Sequence, residues 1–315
     1  MDKPALCRRI LITSCFVLIS GCNTEKPAEN TPPAPVTTSA PSAPSLRQQR
    51  QSAEKQVRPD VEQERENAQN EAAKSLDQDA IAAIGDTTKA LQEIAANKTK
   101  DALDDIEIAT GKINILLARN PATAFIPVGF AVEVIDTAPH DQTQLKHLVA
   151  AAILAVDSKN LPAGRLLLRG LMSEIRVSTT NLPLASYPEA LTDAAKDLHQ
   201  GNTTGASDTL LTALNTLVVV QQAIPLPIIL ARTAVAQAEQ KSKTDKAAAQ
   251  ILLEVARNEL NRGKELGYNL GAPEYASLDH EIASLEKQVK AGSNTTSLFA
   301  RLHAELTDFI HRHKK

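Results

Sequence analysis

Ala102-Leu103-Asp104-Asp105-Ile106-Glu107-Ile108-Ala109-Thr110-Gly111-Lys112-Ile113 is the stretch on which the fold turns. Ala102, Ile106, Ala109 and Ile113 step by four, three and four, which places small and apolar side chains along one face of a helix. The same offsets recur at Ala206, Leu210, Ala213 and Leu217. They recur more loosely at Ala163, Leu167 and Gly170, followed by Glu174 with Ile175 beside it. A polar turn precedes each: Asn97-Lys98-Thr99, Ser158-Lys159-Asn160 and Gly201-Asn202-Thr203. Another helical segment precedes each turn, around Ile81–Ala96, Leu145–Val156 and Ala190–His199. The unit is a helix pair with a tight turn, and such units stack because neither helix buries its apolar stripe alone. The spacing between units is irregular, which favours a compact helical domain over an open solenoid.

Each unit leaves its second helix at a stretch ending in proline: Leu116–Pro121, Val177–Pro183 and Val218–Pro225. Val177-Ser178-Thr179-Thr180 and Val218-Val219-Val220 are rich in β-branched residues, and proline biases the residue before it away from helix. Phe130-Ala131-Val132-Glu133-Val134-Ile135-Asp136 alternates as one short strand does. The C-terminal third reads as plain helix, with Leu253, Ala256, Leu260 and Gly263 on one stripe. Pro273 and Glu274 suit a first helical turn. Tyr275, Leu278, Ile282, Leu285 and Val289 form a second stripe; Phe299, Leu302, Leu306 and Phe309 form a third. Gly292-Ser293-Asn294 separates the last two, giving an antiparallel hairpin that packs within the chain, with dimerisation as the other use of its stripes. The expected class is all-α: stacked antiparallel helix pairs in an irregular repeat, a C-terminal helical hairpin, and one short strand near 130–136.

The N-terminus carries an address. Lys3, Arg8 and Arg9 precede the apolar run Ile10 to Ile19, and Ser20-Gly21-Cys22 follows it, the layout of a secretory signal. A membrane-spanning helix needs about 20 apolar residues, more than this run supplies. The small-small-Cys ending resembles the bacterial lipobox, which implies lipidation of Cys22 and cleavage before it. Two acyl chains or more satisfy the requirement for stable membrane attachment. Asn23, rather than Asp, then implies outer-membrane sorting facing the periplasm of a Gram-negative cell. Cys7 and Cys15 lie upstream of the cut, so no internal disulfide is expected.

Residues 1–21 are therefore read as a lipoprotein signal peptide. Residues 22–45 are the lipidated cysteine and a Pro/Ser/Thr-rich tether, with a reach on the order of 70 Å in extended polyproline geometry. Residues 46–78 are a polar segment, either a solvated helix or disordered, and 79–315 are one helical domain. That length buries roughly three quarters of the unfolded surface.

Composition excludes several functions. Lys+Arg number 34 against 37 Asp+Glu, a net charge of −3, too acidic a balance to recruit nucleic acid. Aromatics are 3% and tryptophan is absent, so stacking platforms for bases or sugars are not expected. The seven histidines are His140, His147, His199, His280, His303, His311 and His313, and no pair has helical metal-site spacing. His311 and His313 read as a solvated tail. Thr110-Gly111-Lys112-Ile113 mimics the end of a phosphate loop but lacks the upstream glycine and sits within a helix. Ser284-Leu285-Glu286-Lys287 matches Ser-x-x-Lys only inside an amphipathic helix. Glu133, Asp136, His140 and Asp141 read as a loop of solvated charge. No catalytic residue, metal or cofactor is expected, and the chain is read as a non-enzyme. The stretch Glu174 to Pro188 gathers hydroxyls, an amide, Arg176 and Tyr187 beside apolar residues, a suitable lining for a small concave site. Arg176, Thr179, Thr180 and Tyr187 are the candidate ligand-binding residues. The alternative is that Thr and Asn there satisfy backbone groups at helix ends.

Ile115-Leu116-Leu117-Ala118-Arg119-Asn120-Pro121, Glu174 to Pro188, and Leu214 to Val219 with Ile224-Pro225-Leu226-Pro227 resemble the recurring segments of the YfdX proteins. The resemblance runs from about Asp79 to Phe309. It implies an all-helical protein secreted in Gram-negative bacteria and associated with acid, heat or multidrug stress, with no catalytic signature. The lipobox and tether depart from members that carry a plain cleavable signal. The expected function is a lipid-anchored periplasmic binding or interaction protein that supports envelope stress tolerance, in a chaperone-like version through a protein client. A small-molecule binder or cryptic enzyme using the 174–188 groove is the alternative. Expected partners are the membrane, through the anchor, a protein client, and a second copy of the chain.

Overall fold

The structure is a computed structural model in which residues 45–268 and 272–312 are described. Residues 1–44, on which the expected signal peptide, Cys22 and most of the expected tether fall, and His313 lie outside the described residues. Three successive units each comprise two antiparallel helices and a strand. The first is α3 (Gln78–Ala95), α4 (Thr99–Arg119) and β1 (Phe125–Asp136), after the leading helices α1 (Leu46–Gln56) and α2 (Pro59–Ser75). The second is α5 (Gln142–Asp157), α6 (Leu161–Arg169) and β2 (Ser173–Pro183). The third is α7 (Tyr187–His199), α8 (Thr203–Asn215) and β3 (Val218–Pro225). Four helices follow: α9 (Leu226–Lys241), α10 (Lys246–Glu265), α11 (Ala272–Ala291) and α12 (Thr296–Arg312).

The three turns form as their sequences predict. Asn97, Lys159 and Gly201 each adopt a left-handed conformation, with φ of 60°, 59° and 77°. In the second and third turns the next residue is an N-cap asparagine. Asn160 accepts from the Ala163 amide and Asn202 from the Gly205 amide. Aligned on the left-handed residue, Ala102 and Ala206 correspond to Gly164, not to Ala163. The buried Gly164 sits against Val156, so the middle unit starts one residue later than side-chain periodicity alone suggested.

The molecule is mostly helical, with a small antiparallel sheet in the order β1-β2-β3. The strand expected at 130–136 is the second half of β1. The two β-branched stretches after α6 and α8 are not mere helix exits; the first pairs with β1 and the second pairs with the first. Val132 lies opposite Val177, Phe130 opposite Thr179, and Thr179 opposite Val220. Pro183 and Pro225 end their strands, and Pro225 is also the N-cap residue of α9. A shift in register between Pro127 and Gly129 bends β1.

Two cores form. In one, α3–α4 packs on α7–α8 as four helices around Ile106, Ile113, Leu191 and Leu210, capped by Ile126 and Leu182 from the sheet. In the other, the sheet face bearing Ile175, Val177 and Ile224 meets α2, α9, α10 and the α11–α12 hairpin. Phe299 and Leu302 are fully buried there, each contributing about 2 kcal/mol. The stripes of the C-terminal hairpin are thus buried inside the chain. Residues 46–78 pack as helices: Val57 is 2% exposed, and α2 lays Ala68 and Ala72 over the sheet. Isolated apolar residues sufficed because α2 covers an existing apolar face and anchors its polar residues. Thr233 donates to Asp60 at 2.9 Å, and Arg232 pairs with the buried Glu64 at 3.2 Å.

Candidate functional site

The densest polar centre forms where β1 ends and β2 begins, and α10 supplies its cation. Arg262 is 1% exposed. Its guanidinium donates to Asp136 Oδ1 at 2.6 Å, Glu259 Oε2 at 3.2 Å, and the carbonyls of Ala138 and Pro139 at 2.9 and 3.2 Å. Asp136 also accepts from the Ser173 hydroxyl at 2.9 Å and from Arg58, at the α1–α2 corner, at 3.1 Å. Burial works against the Asp136 carboxylate. Hydrogen bonds from His140, Arg262 and Ser173 outweigh it and hold the group well below the usual carboxylate range. The network continues on the β2 side. The Tyr268 hydroxyl accepts from the Ser173 amide at 2.7 Å and donates to Glu174 at 3.1 Å, and Glu174 pairs with Arg176 at 2.5 Å. Burial pushes the Tyr268 hydroxyl up.

His140 lies at the rim. Its Nε2 is 3.6 Å from Asp136 and its Nδ1 3.6 Å from Glu259. These carboxylates, Asp136 first, raise its pKa to about 9 against desolvation and the repulsion of Arg262. An Arg58 nitrogen also lies 2.8 Å from Nε2, a contact only a neutral ring accepts. The two carboxylates decide the charge, and in the imidazolium form Arg58 keeps Asp136 as its partner. A cavity of about 340 Å³ adjoins it, lined by Gln51, Glu54, Lys55, Arg58, His140 and Glu259 among others.

Asp136 and His140 are therefore not a loop of solvated charge. The partner that draws them in, Arg262, lies far along the chain on a helix whose pattern reads as ordinary. The local hint was the Glu259/Arg262 pair beside the apolar residues Leu260 and Gly263. Among the described residues no cluster of His, Cys, Asp and Glu could hold a metal ion.

The four candidate ligand residues do not converge. Strand alternation sends Thr179 to the face under α2, and Arg176 and Thr180 to the opposite face. Arg176 is tied into the polar centre through Glu174. Tyr187 opens α7 in the four-helix core, 1% exposed, with its hydroxyl against Thr87; burial raises its pKa. Thr179 alone lines a groove, a cavity of about 370 Å³ between α2 and the sheet, with Glu71, Ser75, Asn181, Val220 and Gln222.

These units define a class: a domain of helical hairpins, each followed by one strand of a shared antiparallel sheet. Residues 83–223, from α3 into β3, match the family model described as YfdX protein. A solved structure of Salmonella Typhi YfdX is 16% identical, with 48% of this chain and 93% of that chain covered and a TM-score of 0.33. No curated protein matches the chain.

Proposed function

We propose that this chain is a lipid-anchored periplasmic binding protein, not an enzyme, that supports tolerance of acid, heat or drug stress by engaging extended segments of unfolding proteins. The outer edge of β3 carries this reading. β3 ends the sheet, and its residues 218–221 are uncharged, with Val219 56% and Val220 45% exposed. An edge strand of that kind presents unpaired N–H and C=O groups, on which an extended segment adds as a further strand. Val220 also lines the groove under α2, which offers alternate side chains of such a segment a pocket. Diacylation of Cys22 and the tether would hold the domain at a distance from the outer membrane.

The full chain should retard aggregation of a client protein unfolding at acid pH or on heating. Val219→Lys combined with Val220→Lys should abolish that protection with an unchanged melting temperature. Lack of any protection by the unaltered chain refutes the client reading. Cys22→Ser should release the protein from the membrane fraction and prevent incorporation of labelled palmitate.

A small-molecule reading rests on the same 370 Å³ groove. A thermal-shift screen of metabolites and drugs tests it, with Thr179→Trp filling the groove and removing any shift.

A further inference from the structure

The α5–α6 hairpin is apolar on its exposed surface. Leu148 to Val156 is an unbroken apolar run, so α5 is apolar on every side, a pattern that belongs to a buried helix. Yet α5 and α6 pack on each other, and α5 on α10, leaving most of both helices exposed. Leu154 is 69% and Leu166 is 72% exposed. Counting from the left-handed turn residue, the outer hairpins place Gln92 and Lys196 where Leu154 stands, and Asp104 and Asp208 where Leu166 stands. The apolar surface is therefore a property of the middle hairpin and not of the repeat.

Its charge differs from that of its siblings as well. Residues 142–169 carry four cations, Lys146, Lys159, Arg165 and Arg169, against one carboxylate, Asp157. Residues 78–119, the α3–α4 hairpin, carry five cations against seven carboxylates; residues 187–215, the α7–α8 hairpin, carry one against four. The middle hairpin is thus net positive in a chain of net charge −3. Its cations are also spared internal partners. All five cations of α3–α4 pair with carboxylates. In α5–α6 Lys146 alone does so among the described residues, with Glu265 at 3.9 Å. Leu161, Arg165, Leu168 and Arg169 are spaced as one face of α6 and all are exposed, so the arginines stand among the leucines.

We propose that α5–α6 docks on the surface of an anionic phospholipid bilayer, its leucines entering the headgroup boundary and its cations meeting lipid phosphates. At 16 and 9 residues the two helices are shorter than the about 20 that a span needs, so the hairpin lies in the interface rather than crossing it. Interfacial helices combine these features: an apolar face, and Lys or Arg whose aliphatic stems rest on that face while the charge reaches the headgroups. Ile153, Leu154, Val156, Leu161, Leu166 and Leu168 together expose on the order of 600 Å², the upper end of the apolar patches found on monomers. A phosphodiester surface supplies the counter-charge that the chain itself withholds from Lys159, Arg165 and Arg169. Docking rests on the hairpin alone and does not require acylation of Cys22.

The experiment uses the full chain with Cys22→Ser, so that no acyl chain contributes. The chain contains no tryptophan, so Leu166→Trp installs a single reporter on the patch. With vesicles of equimolar phosphatidylglycerol and phosphatidylcholine, its emission should shift to the blue and be quenched by lipids brominated on the acyl chain. Arg165→Gln with Arg169→Gln should weaken that binding by roughly thirtyfold, and vesicles of phosphatidylcholine alone should bind at least as weakly. Leu154→Asp in the reporter chain should remove the shift with unchanged circular dichroism, since the outer hairpins fold with polar residues at that position. A reporter that stays unshifted with anionic vesicles overturns the proposal, even if the chain floats with them, as does equal binding to both kinds of vesicle. A shift that appears without vesicles as protein concentration rises assigns the patch to a second copy of the chain, and equally overturns it.

Discussion

Arg262→Met tests whether the buried polar centre holds the fold together. Methionine keeps much of the aliphatic volume and deletes the guanidinium, so the loss is electrostatic. Asp136 and Glu259 lose donors at 2.6 and 3.2 Å, and the carbonyls of Ala138 and Pro139 are left without theirs. Asp136 retains Ser173 and Arg58. Breaking a buried pair by removing one partner costs about 3–5 kcal/mol, and the retained donors place this case near the lower end. At about 2–4 °C per kcal/mol for a domain of this size, the melting temperature should fall by roughly 6–12 °C. The deficit should depend on pH. The folded Asp136 pKa is depressed below its ordinary 3.8, so its ionised form contributes stability above that pH, and this is lost as pH falls further. Without Arg262 its pKa rises, and protonation below about pH 4 relieves the buried charge. Urea unfolding of both proteins at pH 7 and pH 3 should therefore show a smaller gap at pH 3. A gap under about 1 kcal/mol at pH 7, or one that does not change with pH, refutes the reasoning. In a double-mutant cycle with Asp136→Asn, the two losses should be strongly non-additive.

The remaining predictions concern His140 and the hairpin turns. The His140 pKa is raised to about 9, so its stabilising charge is fully present below about pH 6.5 and lost as pH rises through 9. His140→Gln should flatten stability across that window, and a titration of the ring by NMR with a midpoint at or below 6.5 would contradict the assignment. At Gly201, φ is 77° and an added Cβ meets nothing within 4 Å, so Gly201→Ala isolates the backbone cost and should destabilise by about 1 kcal/mol. Lys159, a non-glycine residue in the same conformation, should respond in the opposite direction: Lys159→Gly should stabilise by about 1 kcal/mol in equilibrium unfolding.

The candidate site was only partly legible in the sequence. Arg176 was singled out and does join the polar network, and Thr179 lines a groove. Tyr187 reads as a lining residue in sequence because it sits with hydroxyls, an amide and Arg176 beside apolar residues. Its fate was decided by α7 turning its first residue into the four-helix core. Asp136 and His140 were noticed as a cluster, yet their role depends on Arg262, separated from Asp136 by 126 positions. No local pattern reports a partner at that distance.

The sequence by itself determined the helices, their pairing into hairpins, the three polar turns and the C-terminal stripes. All of these rest on periodicity or on steric preferences over a few residues, which act before any tertiary contact forms. Only the tertiary structure decided that two proline-terminated stretches are strands, because a strand is defined by the partner that satisfies its backbone. It also decided that α1 and α2 belong to the packed domain, since their sparse apolar residues acquire meaning only against the sheet. The same holds for α5–α6. Its sequence announces a hairpin like the other two, and only the assembled chain leaves its apolar face uncovered.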